Sequence, residues 1–380
     1  MSSSLPTADA LRGALAGLLD GLPPTQAAQA VERLIVSYRG TTPTDAPVLR
    51  GRSDVVAYAA YRMPATFEAV RAALGALREA APQWVPGTHT DIGGGTGAAS
   101  WAVAEAWEDE TATPRTTVLD WAEPALALGR ELAEVSGVPA LRAVSWRRSR
   151  ISEAIRIEST DLVTVSYVLK ELTEGDRDAV VAEAARAAQA VVIVEPGTPD
   201  GYERIIRARD GLVAAGFTVA APCPHSLRCP IVPGTDWCHF AARVSRSSLH
   251  RQVKGGSLAY EDEKFGYVAA TRFPVRPVSA RIVRKPQIRK GLVLLDLCET
   301  RTEAEAEAAT EAEAVTEAEA ATETVAGEGG VTAPGPPPAG ARGVLSRQTV
   351  TKRRGPLYKA ARDAEWGDPW PPEDAEDAGS

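Results

Sequence analysis

Cysteine is scarce in this chain: four residues in 380, alongside four histidines and two methionines. That scarcity excludes the disulfide framework of a small secreted domain. Long apolar runs are missing too. No stretch approaches the roughly 18 residues of a membrane span. Hydrophobic residues still make up 44% and charged residues 24%, an ordinary balance for a soluble protein. The first residues, MSSSLPTADALRGALAGLLDGLPP, have neither the basic start nor the cleavage site of a secretory signal. The expectation is a cytoplasmic protein without a membrane partner, long enough for two domains.

Positive charge is deficient only in the total. Glu299 to Glu328 carries ten Glu against one Arg, and Asp363 to Ser380 carries seven acids and no base. Setting aside these nets of −9 and −7 turns the chain's −8 into +8 for the remainder. The bases gather in RFPVRPVSARIVRKPQIRKG and SRQTVTKRRGPLYKAAR. A basic face beside acidic appendages is the footprint of a nucleic-acid binder.

Residues 1–85 read as a helical region. ALRGALAGLLDGL, TQAAQAVERLIVSYR and DVVAYAAYRMPATFEAVRAALGALREAAP space their apolar residues three and four apart. Pro64 marks an expected boundary. From 86 to 221, short β-rich runs alternate with helical ones. HTDIGGG, TTVLD, DLVTVSYVL and AVVIVEPG read as strands, each followed by a helical stretch. That alternation predicts βαβ units and a parallel sheet. After Gly216 the regularity stops. KGLVLLDLCE and GVLSRQTVTKRR then read as an antiparallel pair. Residues 301–341 between them are low-complexity Thr, Glu and Ala, then Gly and Pro, and read as a disordered insert. Residues 222–300 and 342–372 make a cysteine-bearing, basic C-terminal region, and 373–380 an acidic tail.

TDIGGGTGAAS ends the first strand of the βαβ series and contains Asp91, Gly93, Gly95 and Gly97. Glycines there permit positive φ and close approach of a ligand to the backbone. The helix that follows offers unpaired N–H groups. Twenty-nine residues on, Asp120 ends the next strand, where an acid can accept two ribose hydroxyls. This organisation suits a dinucleotide or S-adenosylmethionine. The acid that begins the motif and the D-x-G-x-G-x-G spacing resemble motif I of class I methyltransferases. The resemblance implies that Asp91, Gly93, Gly95 and Gly97 line the cofactor's methionine end and that Asp120 binds its ribose. The methyl acceptor is not declared. Ser166, Tyr167 and Val168 stand where amino-methylating nucleobase enzymes carry N/D-P-P-Y/F, and no cysteine nucleophile lies nearby. Lys170 and Glu171 could do acid–base work, but no catalytic residue is assigned.

The cysteines Cys223, Cys229, Cys238 and Cys298 have the spacing C-x5-C-x8-C-x59-C. The close pairs of a zinc ribbon are absent. Four thiolates around a 4Fe–4S cube would use every cysteine; zinc with His225 or His239 replacing a thiolate is the alternative. Spacing alone does not decide.

DIGGGTGAASWA, VVIVEPGTPDGYERIIRARD, APCPHSLRCP, DWCHFAARVSRSSLHRQVKGG, YEDEKFGYVAATR, KGLVLLDLC and TVTKRRGPLYKAARDAEWGDPWP cover most of residues 30–372. Together they resemble the small-ribosomal-subunit, Rsm-type methyltransferase-like family of bacteria and mitochondria, described as predicted rRNA methylases. The resemblance implies an α/β, class I methyltransferase-like (Rossmann-like) doubly wound sheet with an N-terminal helical region. It adds a C-terminal extension of cysteine cluster and β-hairpin. It implies a structural 4Fe–4S cluster on Cys223, Cys229, Cys238 and Cys298, tying the basic hairpin to the methyltransferase-like domain. The implied partners are small-subunit rRNA and ribosomal proteins, in ribosome biogenesis and translation, with no DNA. Two functions remain open: an S-adenosylmethionine-dependent rRNA methyltransferase, or a non-catalytic assembly factor that keeps the fold.

Overall fold

The computed structural model describes residues 7–19, 29, 31, 52–108, 113–152, 154–247, 258–302, 305 and 340–372. The expectations for nearly all of TQAAQAVERLIVSYR and of the low-complexity insert, and for the acidic tail, lie outside those residues. The chain divides into two compact units: Met1–Ala221 with Trp237–Val275, and Pro222–Asp236 with Arg276–Ser380.

The first unit begins with α1 (Thr7–Leu19) and α2 (Arg52–Ala80). Pro64 lies inside α2, not at a boundary. Proline removes one helical hydrogen bond, at about 3 kcal/mol. Val56, Ala60, Met63, Phe67, Val70, Leu74 and Leu77, spaced three and four apart, are all buried, and that packed stripe outweighs the break.

The alternating series follows: β1 (Thr88–Ile92), α3 (Ala98–Ala106), β2 (Arg115–Asp120), α4 (Glu123–Val135), α5 (Pro139–Arg142) and β3 (Ser145–Arg148). Then come β4 (Thr160–Ser166), α6 (Glu174–Ala187), β5 (Ala188–Pro196), α7 (Pro199–Ala214) and β6 (Thr218–Ala221). Regularity does not stop at Gly216. Beyond β6, β7 (Phe240–Ser245) and β8 (Tyr260–Thr271) complete the sheet. The order is β3-β2-β1-β4-β5-β8-β6, with β7 on β8. β1 to β5 run parallel; β8 is antiparallel to β5, β6 and β7. A parallel sheet with one reversed strand inserted before its last is the class I methyltransferase-like Rossmann fold. Strand order reverses between β1 and β4, so a crevice opens at their C-terminal ends.

Residues 237–275, read from sequence as part of the C-terminal region, thus belong to the first unit. The start of β8, YEDEK, alternates half-buried and exposed residues, and only FGYVAAT is continuously buried. The strand's polar half hides it from a hydrophobic-pattern reading.

The second unit is built on the hairpin of β11 (Leu292–Thr302) and β12 (Ala341–Thr351), paired over its whole length from Leu292↔Thr351 to Thr302↔Ala341. On the other edge of β11 lie β10 (Gln287–Arg289) and β9 (Ala280–Ile282), and β9 pairs β13 (Pro369–Trp370). Ile282, Val293, Leu295, Leu297, Val350 and Trp370 form its core with Ala361 of α8 (Pro356–Asp363). The buried Arg281 of β9 donates from Nε to the Pro222 carbonyl at 2.9 Å and from Nη1 to the Gly367 carbonyl at 2.9 Å.

Glu195, near the end of β5, has no exposed surface. It accepts from Arg204 Nε at 2.6 Å and from the Leu169 amide at 3.1 Å, holding the 3-10 turn Leu169–Glu171 beyond β4. Arg204→Met leaves this carboxylate buried without its cation. The expected loss is about 3–5 kcal/mol, read as a lower urea midpoint at unchanged m-value.

Candidate functional site

At the end of β1 the chain turns through Gly93, Gly95 and Gly97, with φ of +70°, +55° and +83°. The Gly93 and Gly94 amides donate to the Leu119 carbonyl at 2.8 and 3.2 Å, fastening the turn to β2. Space is as restrictive as dihedral. A Cβ on Gly93 would come within 2.7 Å of Val168, and one on Gly94 within 2.3 Å of Asp91 Oδ2. One on Gly97 would meet the Trp146 indole at 2.6 Å. From α2, Met63 Sδ accepts the Thr96 hydroxyl at 3.4 Å, so the first long helix flanks the turn.

The predicted residues Asp91, Gly93, Gly95, Gly97 and Asp120 are therefore gathered at the C-terminal ends of the adjacent strands β1 and β2. Asp120 accepts the Gly95 amide at 2.9 Å on Oδ2 and the Ala122 amide at 2.8 Å on Oδ1. Burial pushes its carboxyl up, against the pull of these N–H groups. Asp91 accepts the Thr164 hydroxyl at 2.8 Å on Oδ1, while its buried Oδ2 has no hydrogen-bond partner among the described residues. Burial pushes this carboxyl up to about 7; Thr164 opposes the shift and the nearby Asp120 charge adds to it. An orphaned buried acceptor beneath a glycine turn fits a site that takes a polar or cationic ligand group. The residues present fit S-adenosylmethionine.

Glu171 is solvent-exposed, yet its carboxyl is pushed up to about 7, first by surrounding protein mass and then by Asp120 and Glu195. Tyr167, just past β4, has φ +59°, the left-handed region rare for a bulky residue. Its hydroxyl donates to Glu263 Oε1 at 3.1 Å, and Arg62 of α2 pairs the same oxygen at 3.0 Å and sits 5.4 Å over the ring. Arg62 and Glu263 were not visible as site residues from sequence, although Glu263 lies in the distinctive YEDEKFGY segment. His89 and Thr164 were missed as well; two polar residues inside apolar strands were the available signal.

The cysteines fall in both units. The unit boundary falls between Asp236 and Trp237. Cys223, Cys229 and Cys298 belong to the second unit, Cys238 to the first. Cys298 Sγ meets His225 Nε2 at 3.6 Å. The same ring rests on β12, where a Cβ on Gly343 would come within 2.4 Å of Nε2. Cys298 thus meets the Cys223 segment through His225, a residue of the zinc alternative. Among the described residues no three His, Cys, Asp or Glu side chains form a group able to hold a metal ion. No described helix is long and apolar enough to cross a membrane.

Fold and glycine turn define a protein of the class I methyltransferase-like type. The chain matches the family described as mitochondrial small ribosomal subunit Rsm22 over residues 52–327 and 339–371, and it belongs to that family. It is 32% identical over 233 residues to the human ribosome assembly protein METTL17, mitochondrial. The match covers 57% of this chain and 48% of the relative, so the chain spans about half that relative's length. Among solved structures, magnesium protoporphyrin IX methyltransferase of Synechocystis PCC 6803, with bound S-adenosylhomocysteine, is 14% identical. That match covers 55% of this chain and 84% of the other, at a TM-score of 0.36. Precorrin-6y C5,15-methyltransferase of Geobacter metallireducens GS-15 is 14% identical, over 54% and 86%, at 0.35.

Asp91 carries a stability signature that checks its environment. In the folded chain burial raises its pKa to about 7, well above the ordinary aspartate range. The native state therefore holds the proton more tightly, and stability falls as pH rises from 4 to 7 and is flat above. Asp91→Asn removes that loss. Relative to wild type, the variant is expected to gain a few kcal/mol at pH 8 and little at pH 4, measured by denaturant unfolding at both.

Proposed function

We propose that this chain binds S-adenosylmethionine at the ends of β1 and β2 and acts on the small ribosomal subunit as an rRNA methyltransferase. The observation that carries the cofactor reading is the pair of buried acids flanking the glycine turn, Asp91 with an unmatched oxygen and Asp120 on the neighbouring strand. Asp91, Gly93, Gly95 and Gly97 would hold the methionine end and Asp120 the ribose hydroxyls. Bound there, the cofactor supplies a methyl group on a sulfonium. Glu171, on the turn beyond β4 with its carboxyl raised to about 7, is the general base for a proton leaving the acceptor.

A specific observation favours the second reading, a non-catalytic assembly factor. The acceptor-side residues are committed to packing: the Tyr167 hydroxyl is held by Glu263, and Val168 fills the space over Gly93. Family membership and the METTL17 likeness support ribosome assembly under either reading. The partners proposed are small-subunit rRNA and ribosomal proteins, in the cytoplasm. Lys352, Arg353 and Arg354, all exposed after β12, are the phosphate contacts, and binding through them weakens with salt. Calorimetry on Asp120→Ala is expected to show loss of S-adenosylmethionine binding; unchanged affinity would mean the ribose site is misplaced. Mass-spectrometric mapping of small-subunit rRNA decides between the readings. A modification lost in the Glu171→Gln strain supports catalysis, and an unchanged map with immature subunits accumulating in a deletion strain supports the assembly factor.

The 4Fe–4S cluster on Cys223, Cys229, Cys238 and Cys298 is part of this proposal. Its support is the thiol donor set and the family pattern, not the arrangement of the side chains. Anaerobically purified protein is expected to be brown with about four irons per chain. Colourless protein with one zinc would replace the cluster by a zinc site.

A further inference from the structure

A hydrogen-bonded series runs across three strands into Asp91. His89 Nδ1 lies 3.1 Å from the Thr116 hydroxyl of β2, and His89 Nε2 lies 2.8 Å from the Thr164 hydroxyl of β4. Thr164 in turn donates to Asp91 Oδ1 at 2.8 Å. His89 is buried and neutral, its pKa pushed down to about 3 by burial alone, so its ring carries one N–H. Thr164 has one proton and spends it on Asp91. Its contact with the ring therefore requires the proton on Nε2, which leaves Nδ1 to accept from Thr116. Every proton in the series points toward Asp91.

The plain alternative is a core histidine satisfied by two hydroxyls. Such a network ends on itself. This one ends on a carboxylate whose second oxygen has no donor among the described residues and lies under the Gly94 backbone. Its neighbours Ile92, Val118, Leu162, Val163 and Val165 have no exposed surface, so apolar residues at 89 and 164 would serve packing equally well. Among charged groups facing Asp91, β2 contributes Asp120. From β4 the facing group is the neutral Thr164 hydroxyl, and the Asp120 charge also reaches Glu171 on the 3-10 turn.

We propose that His89 and Thr164 are positioning residues: their one-way relay occupies Asp91 Oδ1 and fixes its rotamer, so that Oδ2 alone receives a cationic ligand group. Resting on the cofactor reading above, that group is the ammonium of S-adenosylmethionine's methionine end. The relay lowers the proton affinity of Asp91 by donating to its charged form.

The test uses the full chain in two arms. Carbon-13 NMR titration of the Asp91 carboxyl, without ligand, is expected to show an upward-shifted midpoint in Thr164→Val and a restored one in Thr164→Ser. His89→Leu shifts in the same direction, and His89→Gln, which keeps a donor, shifts less. Calorimetry with S-adenosylmethionine from pH 6 to 8 is expected to show about tenfold weaker binding by Thr164→Val near neutrality, with the affinity profile displaced to higher pH. A titration midpoint and affinity profile unmoved in Thr164→Val and His89→Leu, whatever their melting temperatures, overturn the relay. Should Thr164→Val fail to fold, the His89→Leu and His89→Gln pair decides the same point. A wild-type chain that binds no S-adenosylmethionine, while the midpoints still shift, overturns the ligand and the cofactor reading but leaves the relay.

Discussion

A carboxylate with no exposed surface is held by surrounding dipoles or stays protonated, and Asp91 at the end of β1 is in that position. Its neighbours follow from it. Gly94 is glycine because a Cβ would lie on Asp91 Oδ2. Thr164 stands opposite on β4 because β1 and β4 pair in register, Asp91↔Thr164. Asp120 sits at the end of β2, close enough to raise the Asp91 pKa further. Two acids that disfavour each other's ionisation are costly without a ligand. A cationic and hydroxyl-rich ligand relieves both costs, and burial of this kind clusters at functional sites.

How far this was legible in the sequence depends on the range of the interaction. The alternation from β1 to α7 is a local periodic signal; the short β3, without a buried residue, was missed, but β1, β2, β4 and β5 and the helices after them were read correctly. So was the glycine turn, where each residue's requirement is set by its own dihedral or nearest neighbour. β8 was missed because its first five residues face both ways, and its pairing with β5 joins segments about seventy residues apart. Pro64 misled because propensity is local while the packing of α2 is not. The Arg62–Glu263–Tyr167 cluster draws on three distant segments, and nothing in any one of them announces the other two. His89 and Thr164 were visible only as polar residues in apolar strands, which says that something is satisfied there without saying what.

The cysteine segment shows a different kind of limit. Spacing presents four thiols as one set, whereas the fold assigns three to one unit and Cys238 to the other. What the second unit builds by itself is a seat for the segment. Arg281 holds the Pro222 carbonyl, and His225 fits over Gly343 against Cys298. A loop clamped at its first residue and again at its histidine has already lost much of its conformational freedom. Under the proposed cluster, thiols on such a loop would be ordered at lower entropic cost than thiols on a free chain.

Cofactor binding and methyl transfer make separable demands on this fold. Binding as proposed needs the ends of β1 and β2, where the buried Asp91 Oδ2 has no hydrogen-bond partner among the described residues. Transfer needs an acceptor face beyond β4, and there the chain has placed a tyrosine in a strained backbone conformation, held by an ion pair from α2 and β8. Strain of that size persists only where its surroundings over-determine it. Arg62 and Glu263 do so from elements outside the cofactor site. The acceptor side is therefore coupled to α2, whose Met63 touches the glycine turn.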